Sequence, residues 1–268
     1  MKRVLSIQDL SCLGKCSLTV ALPVLSSMGC SCSVLPTAIL STHTAFPSPH
    51  IRDLTQDILP VANHWQTIGA NFDAITVGYL SDPRQAELVG QVLDTFQSPV
   101  ILDPAMGDHG KLYRGLCTEH IDAMASLCRR ANVLLPNVTE AALLTGLPYR
   151  EDADTAYLRE LARGMLSFGS ETVIITGFTR PDGQTGFFGM HQSGEAFSYR
   201  AQRIGKHFHG TGDLFAAVFT GAVMAGKSAH EAATLAALFT ELVISATEES
   251  TPFGIAFEPE LGWLLEQL

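Results

Sequence analysis

Basic side chains are scarce in this sequence. Its 268 residues carry 17 Lys and Arg against 27 Asp and Glu, a formal net charge of −10 at pH 7. That shortage excludes a broad electrostatic grip on nucleic acid, whose phosphates must be neutralised by Lys and Arg. Any anionic ligand has to be held by backbone donors, a few cations or a metal ion. Charged residues amount to 16% and hydrophobic ones to 46%, which excludes global disorder and supplies a sizeable core. Long hydrophobic runs are missing: no stretch reaches the ~18 clean apolar residues of a membrane span. The opening MKRVLSIQDLS has two basic residues but lacks the apolar segment and small-residue cleavage site of a secretory signal. The six cysteines form no C-x-x-C pair and share no segment with a His cluster. Reduced, mostly buried thiols in a cytoplasmic protein are therefore expected rather than a disulfide frame or zinc site. Repeats, low-complexity tracts and linkers are absent as well, and one domain over residues 1–268 is expected.

What the sequence does contain is a rhythm. Short apolar runs (VLSI, SVLPTAI, AITVGYL, VILDP, NVLLPN, TVIITG) alternate with longer stretches of helical periodicity such as DPRQAELVGQVLDTF and DTAYLRELARGMLSFG. Strand and helix in alternation predict an α/β fold, a mostly parallel sheet covered on both faces. TGFFGMHQSGEAFSYRA alternates with Ser193-Gly194 in its middle, which predicts an antiparallel hairpin at one sheet edge. In open α/β sheets ligands bind beyond the carboxyl ends of the strands. The residues there are Asp9, His43, Thr44, Gly78, Tyr79, Asp103, Asn137, Glu140, Thr176 and Gly177.

Two glycine motifs compete for a phosphate. GAVMAGKS, Gly221 to Ser228, fits G-x-x-x-x-G-K-S letter for letter, but that loop must follow a strand, and DLFAAVFTGAVMA has helical spacing. A left-handed Gly226 ending one helix and a capping box from Ser228 to Glu231 starting the next account for it better. GTGD, Gly210 to Asp213, precedes an apolar helical stretch. A Gly-Thr-Gly turn there exposes consecutive N–H groups at the positive end of a helix dipole, an anion hole needing no cation. Asp213 then has two readings, a carboxylate that stabilises its helix or a base that takes a proton from an alcohol while the hole holds a migrating phosphoryl group.

Asn137 and Glu140 are three apart at a helix start, where they can form a cap, organise hydrated Mg²⁺, or do both. Asp103 and Asp108 in ILDPAMGD add carboxylates near the same edge; an Asp before Pro is also a common turn residue.

GTGDLFAA after a hairpin, DPAMGD, LPNVTEAALLTG and VIITG occur in the order of the ribokinase-like vitamin kinases, and LSIQDLSCLGKCSLTVALPVLSSMG with LPTAILSTHTAFP resembles the pyridoxal/pyridoxamine kinase branch. The resemblance spans nearly the whole chain. It implies a ribokinase-like three-layer sandwich and ATP-dependent phosphorylation of the 5′-hydroxymethyl group of pyridoxal, pyridoxamine or pyridoxine. Asp213 would be the base and Gly210, Thr211 and Gly212 the anion hole. Asn137, Glu140, Thr176 and Gly177 would lie along the nucleotide and its Mg²⁺. Asp103 and Asp108, with Glu140, would lie near metal, K⁺ being a further candidate. Tyr79 would cover the pyridine ring, with His43 and Thr44 at its rim. It also implies a homodimer. Asp9 replaces a Ser found in many pyridoxal kinases; a carboxylate there is expected to bind the substrate, either favouring the amine of pyridoxamine or contacting the ring nitrogen or hydroxyl, and Gly177 replaces a common Ser. The alternatives are a hydroxymethylpyrimidine (phosphate) kinase, which shares the GTGD turn, and a non-catalytic B6-binding protein. Lys206, His207 and His209 receive no role.

Overall fold

The computed structural model describes residues 1–180 and 182–267. In chain order the strands are β1 (Arg3–Leu13), β2 (Ser31–Thr42), β3 (Ile51–Asp53), β4 (Ala74–Val77), β5 (Val100–Leu102), β6 (Gly107–Asp108), β7 (Lys111–Leu112), β8 (Val133–Leu134), β9 (Thr172–Thr179), β10 (Gln184–His191) and β11 (Ala196–Gln202). The helices are α1 (Leu18–Ser27), α2 (Ile58–Thr67), α3 (Gln85–Phe96), α4 (Glu119–Cys128), α5 (Val138–Thr145), α6 (Thr155–Leu166), α7 (Thr211–Met224), α8 (Ala229–Ala246) and α9 (Leu261–Leu265).

Among the described residues nine strands form one sheet in the order β11-β10-β9-β8-β5-β4-β1-β2-β3. The strands from β9 to β2 are parallel; β10, β11 and β3 run antiparallel to their neighbours. The α/β class and the hairpin β10–β11 are as the alternation predicts. The antiparallel edge at β3 and helix α2 are additions. The segment around β3 carries Pro47, Pro49 and no alternation, so nothing in its pattern announces a strand.

Neighbouring residues of the central strands point to opposite faces, as a pleated strand requires. Leu5, Ile7, Val100, Leu102, Val173 and Ile175 enter the core shared with α2 to α6. Val4, Ile101 and Ile174 enter the core shared with α1, α7, α8 and α9. Helix α7 is buried without interruption from Leu214 to Ala222, so it has no solvent face and its amino-terminal end alone meets the polar edge of the sheet. Gly221 lets it approach α1: a Cβ there would lie 2.4 Å from Sδ of Met28.

The GAVMAGKS segment is a helix–turn–helix. Gly226 has φ +93°, and its N–H donates to the Val223 carbonyl. Ser228 then accepts from Glu231 N–H while the Glu231 carboxylate accepts from Ser228 N–H, closing a capping box. Ser228→Ala is expected to lower stability by about 1 kcal/mol and leave turnover unchanged, measured by denaturant unfolding beside an activity assay. A loss of nucleotide affinity in that variant would restore the phosphate-loop reading.

Candidate active site

The turn before α7 is built on contact between backbones. Gly210 has φ +89°, and a Cβ on it would lie 1.9 Å from the Lys15 carbonyl oxygen, so only glycine allows this approach. The Leu214 N–H is bound by the Gly210 carbonyl at 2.9 Å. The N–H groups of Thr211, Gly212 and Asp213 precede it in the first helical turn, where no intrahelical acceptor exists. With the helix dipole they form a concave donor set for an anion. The turn is clasped from two sides: Lys15 N–H donates to Phe253 O at 2.7 Å and Ile255 N–H to His209 O at 3.2 Å. Lys15 also forms an ion pair with Glu258.

Asp213 opens this helix. Burial pushes its carboxyl up to about 6, an effect offset in part by the Ser17 backbone N–H and reinforced by the charge of Asp9. A carboxyl that titrates there is ionised at neutral pH yet basic enough to accept a proton. Asp103 lies beside it, since a Cβ on Gly212 would stand 3.7 Å from Oδ2 of Asp103. Burial, and then the charge of Asp213, raises Asp103 well above the carboxylate range.

Glu140 is 2% exposed. Its Oε2 accepts from Asn137 N–H at 2.8 Å and its Oε1 from Met106 N–H at 3.2 Å. Asn137 returns the bond, its Oδ1 accepting from Glu140 N–H at 3.0 Å, and its Nδ2 donates to Gly107 O at 2.8 Å. Gly110 N–H donates to Thr139 Oγ1 at 2.9 Å. The capping box thus also ties the Asp103–Gly110 loop to α5. Burial, then Asp103, raises Glu140 well above its usual range, against the pull of the Asn137, Met106 and Gly107 N–H groups. Asp108 is exposed, its carboxylate 3.5 Å from the His109 ring. Among the described residues no three Asp, Glu, His or Cys side chains converge as a ready-made metal cage. The expected trio of Asp103, Asp108 and Glu140 is therefore not gathered as direct ligands. Two desolvated carboxyls beside an anion hole nonetheless fit Mg²⁺, which retains waters and shares its sphere with phosphate oxygens.

Thr176 and Gly177 lie across from Asn137, Thr176 being bridged to it. Thr176 N–H donates to Pro136 O at 2.9 Å, and a Cβ on Gly177 (φ +67°) would meet the Asn137 Cβ at 3.9 Å. Asp9, His43, Thr44 and Tyr79 complete the expected set: the charge of Asp9 reaches Asp213 and Tyr79, and His43 packs on His209. Between Gln8 and Leu10 of β1 the register with β2 shifts, Pro36 to Ile39. Asp9 sits at this irregularity, which re-aims side chains as bulges do. Thr37, also there, donates its hydroxyl to Tyr79 O at 3.1 Å. Tyr79 is 9% exposed, and burial, then Asp9, pushes its phenol up to about 12. His43 is buried with neither ring nitrogen hydrogen-bonded. Burial and neighbouring His209 push it down to about 4, so it is a neutral ring at pH 7. Its centroid lies 4.4 Å from His209 and 4.7 Å from Phe46, which stacks on Phe253 at 5.7 Å. Thr44 follows it, half-buried.

Several residues of this edge carry no signal in the sequence. Tyr113 reaches in from the β6–β7 side, and burial, followed by Glu140, Asp103, Asp108 and Asp213, raises its phenol. Ser11 and Ser17 bond Asp9, and Lys15 supplies the carbonyl under Gly210. A lone Tyr, two Ser and a backbone oxygen have no motif. His209 joins the site through a tilted ring contact with His43, whereas the Lys206 ammonium donates to Ser245 O and Thr247 O at the end of α8.

The phosphomethylpyrimidine kinase family profile matches residues 22–258. A pyridoxine/pyridoxal/pyridoxamine kinase of Bordetella pertussis is 30% identical, the match covering 94% of this chain and 90% of that protein. A Bacteroides thetaiotaomicron structure solved with pyridoxal superposes with a TM-score of 0.93 at 35% identity, over 98% of this chain and 95% of that one. Pyridoxal kinase from Lactobacillus plantarum superposes with a TM-score of 0.89 at 31% identity, over 99% and 97% of the two chains.

Proposed function

The chain belongs to the phosphomethylpyrimidine kinase family and, within it, to the pyridoxal kinases of the ribokinase-like superfamily, and from that premise we propose that it phosphorylates the 5′-hydroxymethyl group of a vitamin B6 vitamer with ATP. The observation that carries the proposal is a carboxylate, Asp213, raised to about 6 by burial at the mouth of an anion hole. The vitamer hydroxyl gives its proton to Asp213 as its oxygen bonds the γ-phosphorus. The bond from that phosphorus to the β–γ bridging oxygen breaks, and ADP leaves with the electron pair. The N–H groups at 211–213 meet the oxygens of the migrating group, where charge accumulates and where fixed donors lower the barrier most. Mg²⁺, when bound, would neutralise the phosphates; Asp103 and Glu140 would hold it through water.

Tyr79 would offer a π-face to the pyridine ring, with His43 and Thr44 at its rim. Asn137, Thr176 and Gly177 flank the nucleotide. We further propose one domain over residues 1–268, a homodimer, and action in the cytoplasm, with K⁺ as a candidate activator; among the described residues no helix is long and apolar enough to cross a membrane.

The test is a panel of pyridoxal, pyridoxamine, pyridoxine and hydroxymethylpyrimidine with Mg-ATP, following ADP release and product mass. We expect a mass gain of one phosphoryl group on the B6 vitamers and kcat/KM at least about tenfold lower for hydroxymethylpyrimidine, the worth of one or two well-placed contacts. Preference for the pyrimidine would assign the chain to thiamine-type chemistry. Binding of a vitamer without turnover would make it a B6-binding protein.

A further inference from the structure

We propose that Asp9 is a positioning residue: by accepting a hydrogen bond from Ser17 it holds that residue in a backbone conformation that fixes the turn on which Gly210 and Asp213 rest. The inference rests on the phosphoryl-transfer reading above and gives Asp9 a role other than contact with the vitamer.

Ser17 has φ 52° and ψ −125°, a conformation natural to glycine and costing another residue about 1–3 kcal/mol. Something must offset that cost. Ser17 stands at the cap position of α1, and its carbonyl accepts from Val20 N–H at 3.0 Å and Ala21 N–H at 2.9 Å. A serine there normally turns its hydroxyl onto the helix; this one makes no such bond and donates to Oδ1 of Asp9 instead. Ser11 donates to Oδ2 at 3.0 Å. With both oxygens engaged and 3% of its surface exposed, Asp9 has little left to offer an incoming amine.

The backbone so held is the one the site uses. The Ser17 N–H lies close enough to the Asp213 carboxylate to draw its titration down. The Lys15 carbonyl, two residues earlier, packs on Gly210 and lies 3.0 Å from where a Gly254 Cβ would stand. An isolated bridge joins Leu10 to Ser17 and anchors the turn to β1. Released from Asp9, Ser17 relaxes toward negative φ, its N–H turns from Asp213, and the support under Gly210 shifts. Misplacement on that scale acts on kcat more than on binding.

The experiment compares Ser17→Ala, Ser17→Gly, Asp9→Ala and the double variant Asp9→Ala/Ser17→Gly, measuring kcat and KM on each vitamer and solving crystal structures. Ser17→Ala and Asp9→Ala are expected to lower kcat about tenfold to a hundredfold on every vitamer, the rate equivalent of that backbone cost, with KM for ATP nearly unchanged. Ser17→Gly recovers most of the loss, because glycine adopts the conformation unaided. The double variant behaves as Ser17→Gly alone, the signature of two residues acting through one contact.

A selective rise in KM for pyridoxamine in Asp9→Ala, unrelieved by Ser17→Gly, would overturn the proposal and make Asp9 a substrate contact. Ser17→Gly as slow as Ser17→Ala would overturn it too, and that pair leaves Asp9 in place should its removal prevent folding. The crystal structures decide independently of the substrate: residue 17 should leave positive φ in Ser17→Ala and Asp9→Ala and keep it in Ser17→Gly, and an unmoved residue 17 in the alanine variants refutes the inference. A parent enzyme inactive on every vitamer would sink the functional reading while the structural comparison still tests the positioning.

Discussion

Asp213→Asn is expected to lower kcat on the preferred vitamer by about 10²- to 10⁴-fold, the usual worth of a positioned general base, with KM for ATP and vitamer within about threefold of the parent. The amide keeps the carboxylate's shape but cannot take the proton. The pH profile supplies a second readout. Burial raises the Asp213 carboxyl to about 6, and the proposed base works ionised, so parent kcat is expected to climb as pH passes through about 6 and to level off above it. In the variant that limb disappears. Stability moves the opposite way. A carboxyl raised by folding binds its proton more tightly in the native state, so stability falls as pH rises from the unfolded value through about 6 and stays lower above it. Removing the charge relieves that burden, and the apo variant should melt at a higher temperature than the parent at pH 8. Full activity in Asp213→Asn would remove the proposed base; inactivity with a lower Tm would mean the residue chiefly holds its helix.

Gly210→Ala is expected to be nearly as damaging by another route. At φ +89° an L side chain is strained, and its Cβ would fall 1.9 Å from the Lys15 carbonyl oxygen. Backbone has to move, and the backbones available are the anion turn and the Lys15–Ser17 segment. We expect kcat/KM to fall by at least about a hundredfold, as for the loss of an oxyanion donor, and stability by about 1–3 kcal/mol. Steady-state kinetics with thermal unfolding measure both. Wild-type kinetics with an intact fold would show that the 211–213 amides do not hold the migrating group. Gly226→Ala serves as the comparison: it has φ +93° but no atom within 4 Å of its added Cβ. It should lose some stability and no activity.

The part of this molecule legible in the sequence is the part with a period or a turn. Alternating apolar runs announced β4, β5 and β9 because both faces of those strands are covered, and Ser193-Gly194 announced the hairpin because that turn demands glycine. Helix caps were legible too: Asn137 with Glu140 and Ser228 with Glu231 close as their spacing requires. Yet identical capping logic cannot tell a purely structural box from one proposed to serve the phosphates and their metal as well. What distinguishes them is that Glu140 is buried against Asp103 while Glu231 stands at the surface, a difference made by tertiary packing. The same holds for Asp213: GTGD located it, but the burial that tunes it, and the Ser17 and Asp9 groups that modify it, come from tertiary packing. The contact set of Asp9 was hidden because its partners are a strand serine, Ser11, and a serine in a glycine-like bend, Ser17, and composition offers no sign that a serine has taken a glycine's backbone.

The clasp around Lys15 bears on how the enzyme comes into being. Phe253, Ile255 and Glu258 seat a turn begun by residues 14 to 17 and finished by residues 209 to 213, so the proposed catalytic turn closes only when segments far apart in the sequence meet. On the ribosome the sheet and both helical layers can take shape while that loop is still open. A nascent molecule that has not yet made residues 253–258 would hold most of its strands and helices and still lack the seat of that turn, so activity is expected to wait for that segment.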